Sequence, residues 1–293
     1  MSAAVRRACI DIGSNTTRLL VAECEGDHLL EVHQERAFTR ISRGLLEDGA
    51  ISQEKIDEVV EVVAGQLRLA RELGSEDVYG VATAAIRRAG NGAELVAAIR
   101  RHCGLGVRIL SGEQEARLAF VGAARTLDHV PAGALGVVDV GGASSELVIG
   151  TAPDQMSWCT SFGVGSGDLA DRFLASDPPT SDELAAARAH VSQALAGVDV
   201  PQPAEAVAVG GSATSLRRLA GPILDSAAFE RTFGLLATAG TTAVARRFAL
   251  DRERVRLLPA GLIILQAASE LFGAALQVGH GGIREGVLLD ASP

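Results

Sequence analysis

Two short strings in the chain are alike: Asp11-Ile12-Gly13-Ser14 and Asp139-Val140-Gly141-Gly142, 128 residues apart. Each lies where an apolar run ends in a tight turn that leads into a second apolar run. A Gly/Ser turn between two strands exposes successive backbone N–H groups in a concave nest, an anion site that needs no lysine. An Asp at the end of the preceding strand repels phosphate, so Asp11 and Asp139 point to a cation as well. Mg²⁺ suits such a place, because it takes one or two carboxylates together with waters and phosphate oxygens. Alone, either string reads as an ordinary Gly-rich turn with an Asx contact. Two in matched contexts favour the anion and cation reading.

Three further strings carry chemistry. Gly210-Gly211-Ser212-Ala213-Thr214 follows a strand and opens a helix, so amides again point outward, unless it is only a loosened strand-to-helix loop. Thr83-Ala84-Ala85-Ile86-Arg87-Arg88 leaves a strand end with a hydroxyl and two guanidinium groups; Arg87 either clamps phosphate or is solvated. In Ser111-Gly112-Glu113-Gln114-Glu115-Ala116-Arg117, Ser111 and Gln114 form a capping box, and Glu113 is spaced to pair with Arg117. Glu115 has no such account. Its neighbours one turn on are Leu118 and Ala119, so its carboxylate leans along an apolar face, where desolvation favours a general base. Placement in the field of the helix dipole is the rival explanation.

Composition closes other routes. The 293 residues carry a net charge of −9, and Lys55 is the only lysine. Schiff-base and P-loop chemistry therefore have no lysine to use unless Lys55 serves, and net acidity disfavours nucleic acid as a partner. The six histidines form no triad or H-E-x-x-H arrangement, and Cys9, Cys24, Cys103 and Cys159 are scattered. They read as buried hydrophobes in a reducing cytoplasm, with no signal peptide in residues 1–7. Gly163-Val164-Gly165-Ser166-Gly167 lacks the spacing and βαβ frame of a dinucleotide loop. The longest apolar stretch, 257–268, is too short to span a membrane.

Elements to position these residues follow from periodicity. Residues 8–12, 18–24 and 28–36 read as strands, with Gly26-Asp27 as a turn. The stripe Ile56, Val59, Val60, Val63 and Leu67 marks a helix over 52–73 that ends at Gly74. A strand at Asp77–Ala82, a helix at Gly92–Cys103, a strand at 107–110 and a helix at Gly112–Arg125 complete the order βββαβαβα. The second half repeats the plan: strands at 134–140, 146–149 and 156–162, helices at 168–174 and 181–195, and a strand at 206–209. A helix near Ser212, a core helix over 258–272, a strand at 275–278 and a closing helix at 282–289 follow. This length and repetition suggest two like α/β domains, 1–125 and 126–293, with the last helix free to pack back on the first.

Together the strings resemble the exopolyphosphatase and guanosine pentaphosphate phosphohydrolase family, within the actin-like phosphotransferase superfamily. The matching stretches are 11–20 (DIGSNTTRLL), 83–91 (TAAIRRAGN), 111–118 (SGEQEARL), 139–146 (DVGGASSE), 209–214 (VGGSAT), 259–265 and 282–288 (GIREGVL). The resemblance implies two RNase-H-like domains of the actin-like ATPase fold, with phosphates bound in a cleft between them. It implies Mg²⁺-dependent removal of a terminal phosphate from inorganic polyphosphate or guanosine pentaphosphate. Carried over by motif, Glu115 is the base, and Asp11, Asp139 and Glu146 organise metal and water. Gly13, Ser14, Asn15, Arg18, Thr83, Arg87, Gly141, Gly142, Ala143 and Ser144 line the phosphates, with Gly211 and Ser212 behind them.

Some positions depart from the family pattern. Ala143 stands where D-x-G-G-G-S has its third glycine, which strains the chain if that position requires φ > 0. Gln114 replaces the first glutamate of E-E-A-R. The resemblance is to the short two-domain members, from which a preference for short polyphosphates and a possible homodimer are expected. An actin-like kinase or ATPase, or a sensor of polyphosphate or guanosine tetraphosphate with little turnover, are the rival functions. Arg36, Arg40 and Arg43, or Arg246 and Arg247, either extend an arginine track or are solvated surface.

Overall fold

The computed structural model describes residues 5–26, 28–45 and 48–290. The chain begins with three antiparallel strands, β1 (Val5–Ile12), β2 (Thr17–Glu25) and β3 (His28–Ala37). Then come α1 (Gln53–Glu72), β4 (Asp77–Ala82), the short α2 (Ala84–Arg88), α3 (Gly92–Cys103), β5 (Val107–Ile109) and α4 (Gly112–Arg125). β4 and β5 add in parallel, so the sheet runs β3-β2-β1-β4-β5. Parallel neighbours need a long crossover, which α1 and the α2–α3 pair supply.

Alternate residues of β1 and β2 enter opposite cores. Ala8, Ile10, Ile12, Leu19 and Val21 pack with the α1 stripe, whereas Cys9, Leu20, Ala22 and Cys24 pack with Leu118 of α4. Strands buried on both faces read as continuous apolar runs, which is why these were legible without alternation. All five residues of the expected α1 stripe are buried, and Gly74 ends the helix at φ +85. Gly26 takes φ +57, while Asp27 and the expected N-terminal start at 1–4 lie outside the described residues.

The second stretch contains β6 (Leu135–Val140), β7 (Ser145–Thr151), β8 (Gln155–Phe162), α5 (Ser166–Phe173), α6 (Ser181–Ala194), β9 (Glu205–Val209) and α7 (Gly210–Ala220). β10 (Ile223–Leu224), α8 (Ser226–Thr238), α9 (Thr241–Phe248), α10 (Arg252–Phe272) and β11 (Leu276–Val278) follow. Without the two-residue β10, the order β8-β7-β6-β9-β11 repeats that of the first sheet, with the same parallel and antiparallel pairings. The duplication first seen in two four-residue strings therefore extends over whole sheets. α10 is long and apolar enough to cross a membrane, but most of it is buried in this second core.

The chain divides into two compact units, Met1–Thr126 with Gly281–Pro293, and Leu127–His280. The last helix, α11 (Ile283–Asp290), belongs to the first, so the second unit ends at His280 and not at residue 293. The reason is backbone-to-backbone packing. A Cβ on Gly122 of α4 would stand 2.0 Å from the Gly282 carbonyl oxygen, and one on Gly286 would stand 2.0 Å from that of Leu118. Arg117 of α4 also grips Asp290 through two hydrogen bonds of 2.9 and 2.6 Å, which hold the Asp290 carboxyl below its usual range.

Several elements differ from the sequence reading. α2, α8, α9 and β10 were not expected, and α10 starts at Arg252 instead of 258. α9 has eight residues, too few for a periodic pattern to stand out. The buried side of α8 includes Thr232, whose hydroxyl returns to the Ala228 carbonyl at 2.7 Å, so a polar residue interrupts its stripe. In α10 the arginine-rich first turns hid the start, although Arg254 is buried.

Gly286→Ala is expected to lower the urea midpoint by the equivalent of about 1–3 kcal/mol, because backbone must move to admit the methyl. Gly65, exposed within α1 with nothing near its missing Cβ, is the control: Gly65→Ala should stabilise by about 0.5–1 kcal/mol. Unchanged stability in Gly286→Ala would show that α4 and α11 are not locked together in this way.

Candidate active site

Each hairpin turn closes identically. Gly13 N–H donates to the Thr16 carbonyl at 3.0 Å, and Gly141 N–H to the Ser144 carbonyl at 3.0 Å. Their carbonyls are then taken by neighbouring segments. In the first unit, Arg40 and Ser42 N–H donate to Asn15 and Ser14 carbonyls at 3.0 and 3.1 Å. In the second, Ser166 N–H reaches the Gly141 carbonyl at 2.9 Å, and Gly167 and Asp168 N–H reach that of Gly142 at 2.8 and 3.0 Å. Among the described residues, no acceptor takes the amides of Ser14, Asn15, Gly142 or Ala143. Amides left this way in a rigid turn are donors suited to an anion.

The string 163–167 thus has a structural task that the sequence did not disclose. It brings the start of α5 onto the turn, and a Cβ on Gly165 would lie 2.3 Å from the Ala143 nitrogen. Ala143 itself carries no strain. Among the described residues only Arg40 and Ala249 are non-glycines at positive φ, and the buried Ala143 methyl fits.

Around the first turn, Asp11 ends β1 opposite Arg18 of β2. Asp11 Oδ1 is buried with no hydrogen-bond partner in the described residues. Burial is foremost in pushing this carboxyl above its usual value; Arg284 and Arg18 pull the other way, and Glu285 adds to the rise. Arg284, buried on α11, donates to the Leu19 carbonyl and to Gln34 Oε1, each at 3.3 Å. Thr83 N–H donates to the Ile12 carbonyl at 3.2 Å, and its hydroxyl lies beside Gly13. Glu115 is only 3% exposed, in the first turn of an α4 whose Ser111–Gln114 capping box is formed as expected. Arg87 of α2 pairs with the Glu115 carboxylate and also donates to the Leu110 carbonyl. The two residues singled out separately as clamp and base are therefore ion-paired.

Around the second turn, Asp139 and Glu146 lie directly opposite each other on β6 and β7. Ser161 donates its hydroxyl hydrogen to Glu146 Oε1 at 2.8 Å. Gly210, at φ +85, comes so close to Asp139 that a Cβ would stand 2.3 Å from Oδ1. The Arg254 guanidinium covers Gly211 in the same way, with a Cβ site 2.8 Å from Nη1. Ser212, expected behind the phosphate-lining residues, is 1% exposed, with its Oγ buried against Gly261 of α10.

Residues 20–293 match the model of the Ppx/GppA phosphatase family. The chain belongs to that family.

Among its relatives, an uncharacterised protein of Streptomyces coelicolor is 30% identical, covering 97% of this chain and 90% of that one. Exopolyphosphatase 1 of Mycobacterium leprae is 28% identical over 97% and 89% of the two chains. A solved Ppx/GppA family structure from Aquifex aeolicus superposes with a TM-score of 0.82 at 29% identity, covering 98% of this chain and 97% of that one. An exopolyphosphatase structure from Cytophaga hutchinsonii, 21% identical, shares the fold at a TM-score of 0.86 over 98% and 99% of the two chains.

For this Ppx/GppA chain, the carboxylates at each turn, taken unit by unit, suit a hard cation. Asp11 offers a buried, unpartnered oxygen. Carboxylates directly opposite on two strands, as Asp139 and Glu146 are, repel unless positive charge lies nearby. Among the described residues no three His, Cys, Asp or Glu side chains cluster as a metal cage. Mg²⁺ does not need one, because waters and phosphate complete its shell. Arg254 and Arg284 were missed from sequence, because nothing in a helix sequence signals which of its arginines is buried; Gly210 was read as part of the strand-to-helix string, without its close approach to Asp139.

Asp11 binds a proton more readily in the folded chain than in the unfolded one, so stability falls as pH rises through that interval. Asp11→Asn should therefore raise the urea midpoint at neutral pH in the presence of chelator. The gain should vanish in acid, below the ordinary carboxyl value. A neutral-pH midpoint at or below that of the native chain would mean that this carboxylate is already compensated.

Proposed function

We propose that this chain hydrolyses a terminal phosphoanhydride by attack of water, with inorganic polyphosphate or guanosine pentaphosphate as substrate. The observation that carries the reading is the ion pair between the buried Glu115 and the half-buried Arg87. A phosphate oxygen that takes Arg87 competes with Glu115 for the guanidinium. Glu115 is then left as a carboxylate in a poorly solvated place, ready to accept a proton. The substrate thereby uncovers the base that activates the attacking water.

Catalysis on this reading is positioning and charge neutralisation, as phosphoryl transfer generally requires. The amides of Ser14, Asn15, Gly142 and Ala143 and the Arg87 guanidinium hold phosphate oxygens. Glu115 takes one proton from water, the water oxygen bonds to the terminal phosphorus, and the bridging P–O bond breaks with its electron pair on the departing chain. Asp11, Asp139 and Glu146 would hold Mg²⁺, whose charge offsets that building on the phosphate oxygens. The mycobacterial relatives named exopolyphosphatases support polyphosphate as the substrate. Ala143, a departure from the family pattern, is accommodated without backbone strain, which is compatible with turnover.

Phosphate release from polyphosphate, guanosine pentaphosphate and ATP, measured side by side with and without Mg²⁺, tests the reading. Release from one of the first two is expected. ATP-dependent transfer to an acceptor would make the protein a kinase, and tight binding without release a sensor. Glu115→Gln should keep the fold and bind substrate at least as tightly as the native chain, while lowering turnover by about 10²–10⁴-fold. Near-native turnover in that variant would remove Glu115 from the mechanism.

A further inference from the structure

Three charged residues stand in a row across the first sheet. Asp11 on β1 is opposite Arg18 on β2, and Arg18 is opposite Arg36 on β3. Directly opposite residues share one face of a sheet, so the row reads minus, plus, plus from the turn towards the edge. Like charges in opposite positions destabilise a strand pair. Asp11 balances Arg18 from one side, but among the described residues no carboxylate pairs with Arg36. Its guanidinium instead lies over the Phe38 ring, 5.0 Å from the centroid, and that of Arg40 lies 5.7 Å from the same centroid.

This group is held in place by backbone. Arg40 takes the left-handed conformation, φ 47 and ψ 48, which costs a non-glycine residue about 1–2 kcal/mol. It is kept there by its N–H bond to Asn15 and the bond from Ser42 to Ser14. The segment that carries Phe38 and Arg40 is thus fastened to the first phosphate turn. β3 is the edge strand and largely exposed, so whatever follows the row outward meets solvent.

We propose that Arg36, seated on Phe38 and continuing from Arg18, is a subsite for the phosphates of a linear polyphosphate beyond the third, and so determines specificity for chain over nucleotide. The inference rests on the reading that a terminal phosphate is bound and cleaved beside the first turn. A linear chain of phosphates presents anionic oxygens at every step, which matches consecutive guanidinium groups. A guanosine instead presents a flat base, and the Phe38 ring that would stack on it is already occupied by two cations.

The test compares native chain, Arg36→Ala and Arg36→Lys, with tripolyphosphate, a long polyphosphate and guanosine pentaphosphate as ligands. Affinities are read by calorimetry in the Glu115→Gln background, and KM and kcat in the native background. Urea midpoints confirm folding of each variant. Arg36→Ala is expected to lower the ratio of long-chain to tripolyphosphate affinity about tenfold, through KM. Arg36→Lys should recover part of the loss. An unchanged ratio with a native chain that cleaves polyphosphate would overturn the subsite alone. Selective loss of guanosine pentaphosphate would reassign Arg36 to the nucleotide and overturn the proposal. A native chain that neither binds nor cleaves any of the three would overturn the functional reading, and the subsite with it.

Discussion

The structure depends on a constraint of backbone hydrogen bonding. A turn of four residues between two strands offers both carbonyls and amides, and only the amides suit a phosphate. Each unit resolves this by occupying the carbonyls. Arg40 and Ser42 do so in the first, and the start of α5 does so in the second. The rest of each sheet serves to keep that turn rigid at the end of a central strand. On the proposed function, a chain of net charge −9 would hold a polyanion through a local positive field of peptide dipoles and a few arginines.

Charge in the first unit is handled with the same economy of parts. A buried carboxylate with no partner would be intolerable in a purely structural core. Arg284 and Arg18 offset only part of the cost of burying Asp11, and Arg284 is carried on α11, which lies close against α4. Glycines at positions 122, 281 and 286, which permit that approach, therefore bear on the electrostatics of Asp11. Glu115, on that same α4, is stabilised by Arg87 in a pair that ligand binding would disturb.

Much of this was legible in the sequence, for physical reasons that differ by element. Doubly buried strands announce themselves as apolar runs, and α1 and α4 by stripe and cap. The repeated Asp-x-Gly string located both turns. Sequence could not show which side chains meet across distance: Arg87 with Glu115, Arg254 over Gly211, or the start of α5 on Gly142. The depth at which Ser212 is buried was not legible either, because a hydroxyl at a helix start reads the same whichever way the backbone turns it. α9 was lost to shortness, and α8 to a threonine whose hydrogen is spent within its own helix.

The return of α11 to the first unit has a consequence for how the protein is made. The second unit is one uninterrupted stretch, Leu127–His280, set as an insertion between two parts of the first. On the ribosome it can close as soon as it has emerged. The earlier-synthesised strands must wait, because the face of their sheet carrying Cys9 and Leu20 packs with Val287 and Leu288 of α11 as well as with Leu118 of α4. Biogenesis thus runs against the order of numbering. The half that carries Asp11 and Glu115 is sealed last, so the acidic centre is assembled only when α11 has been translated.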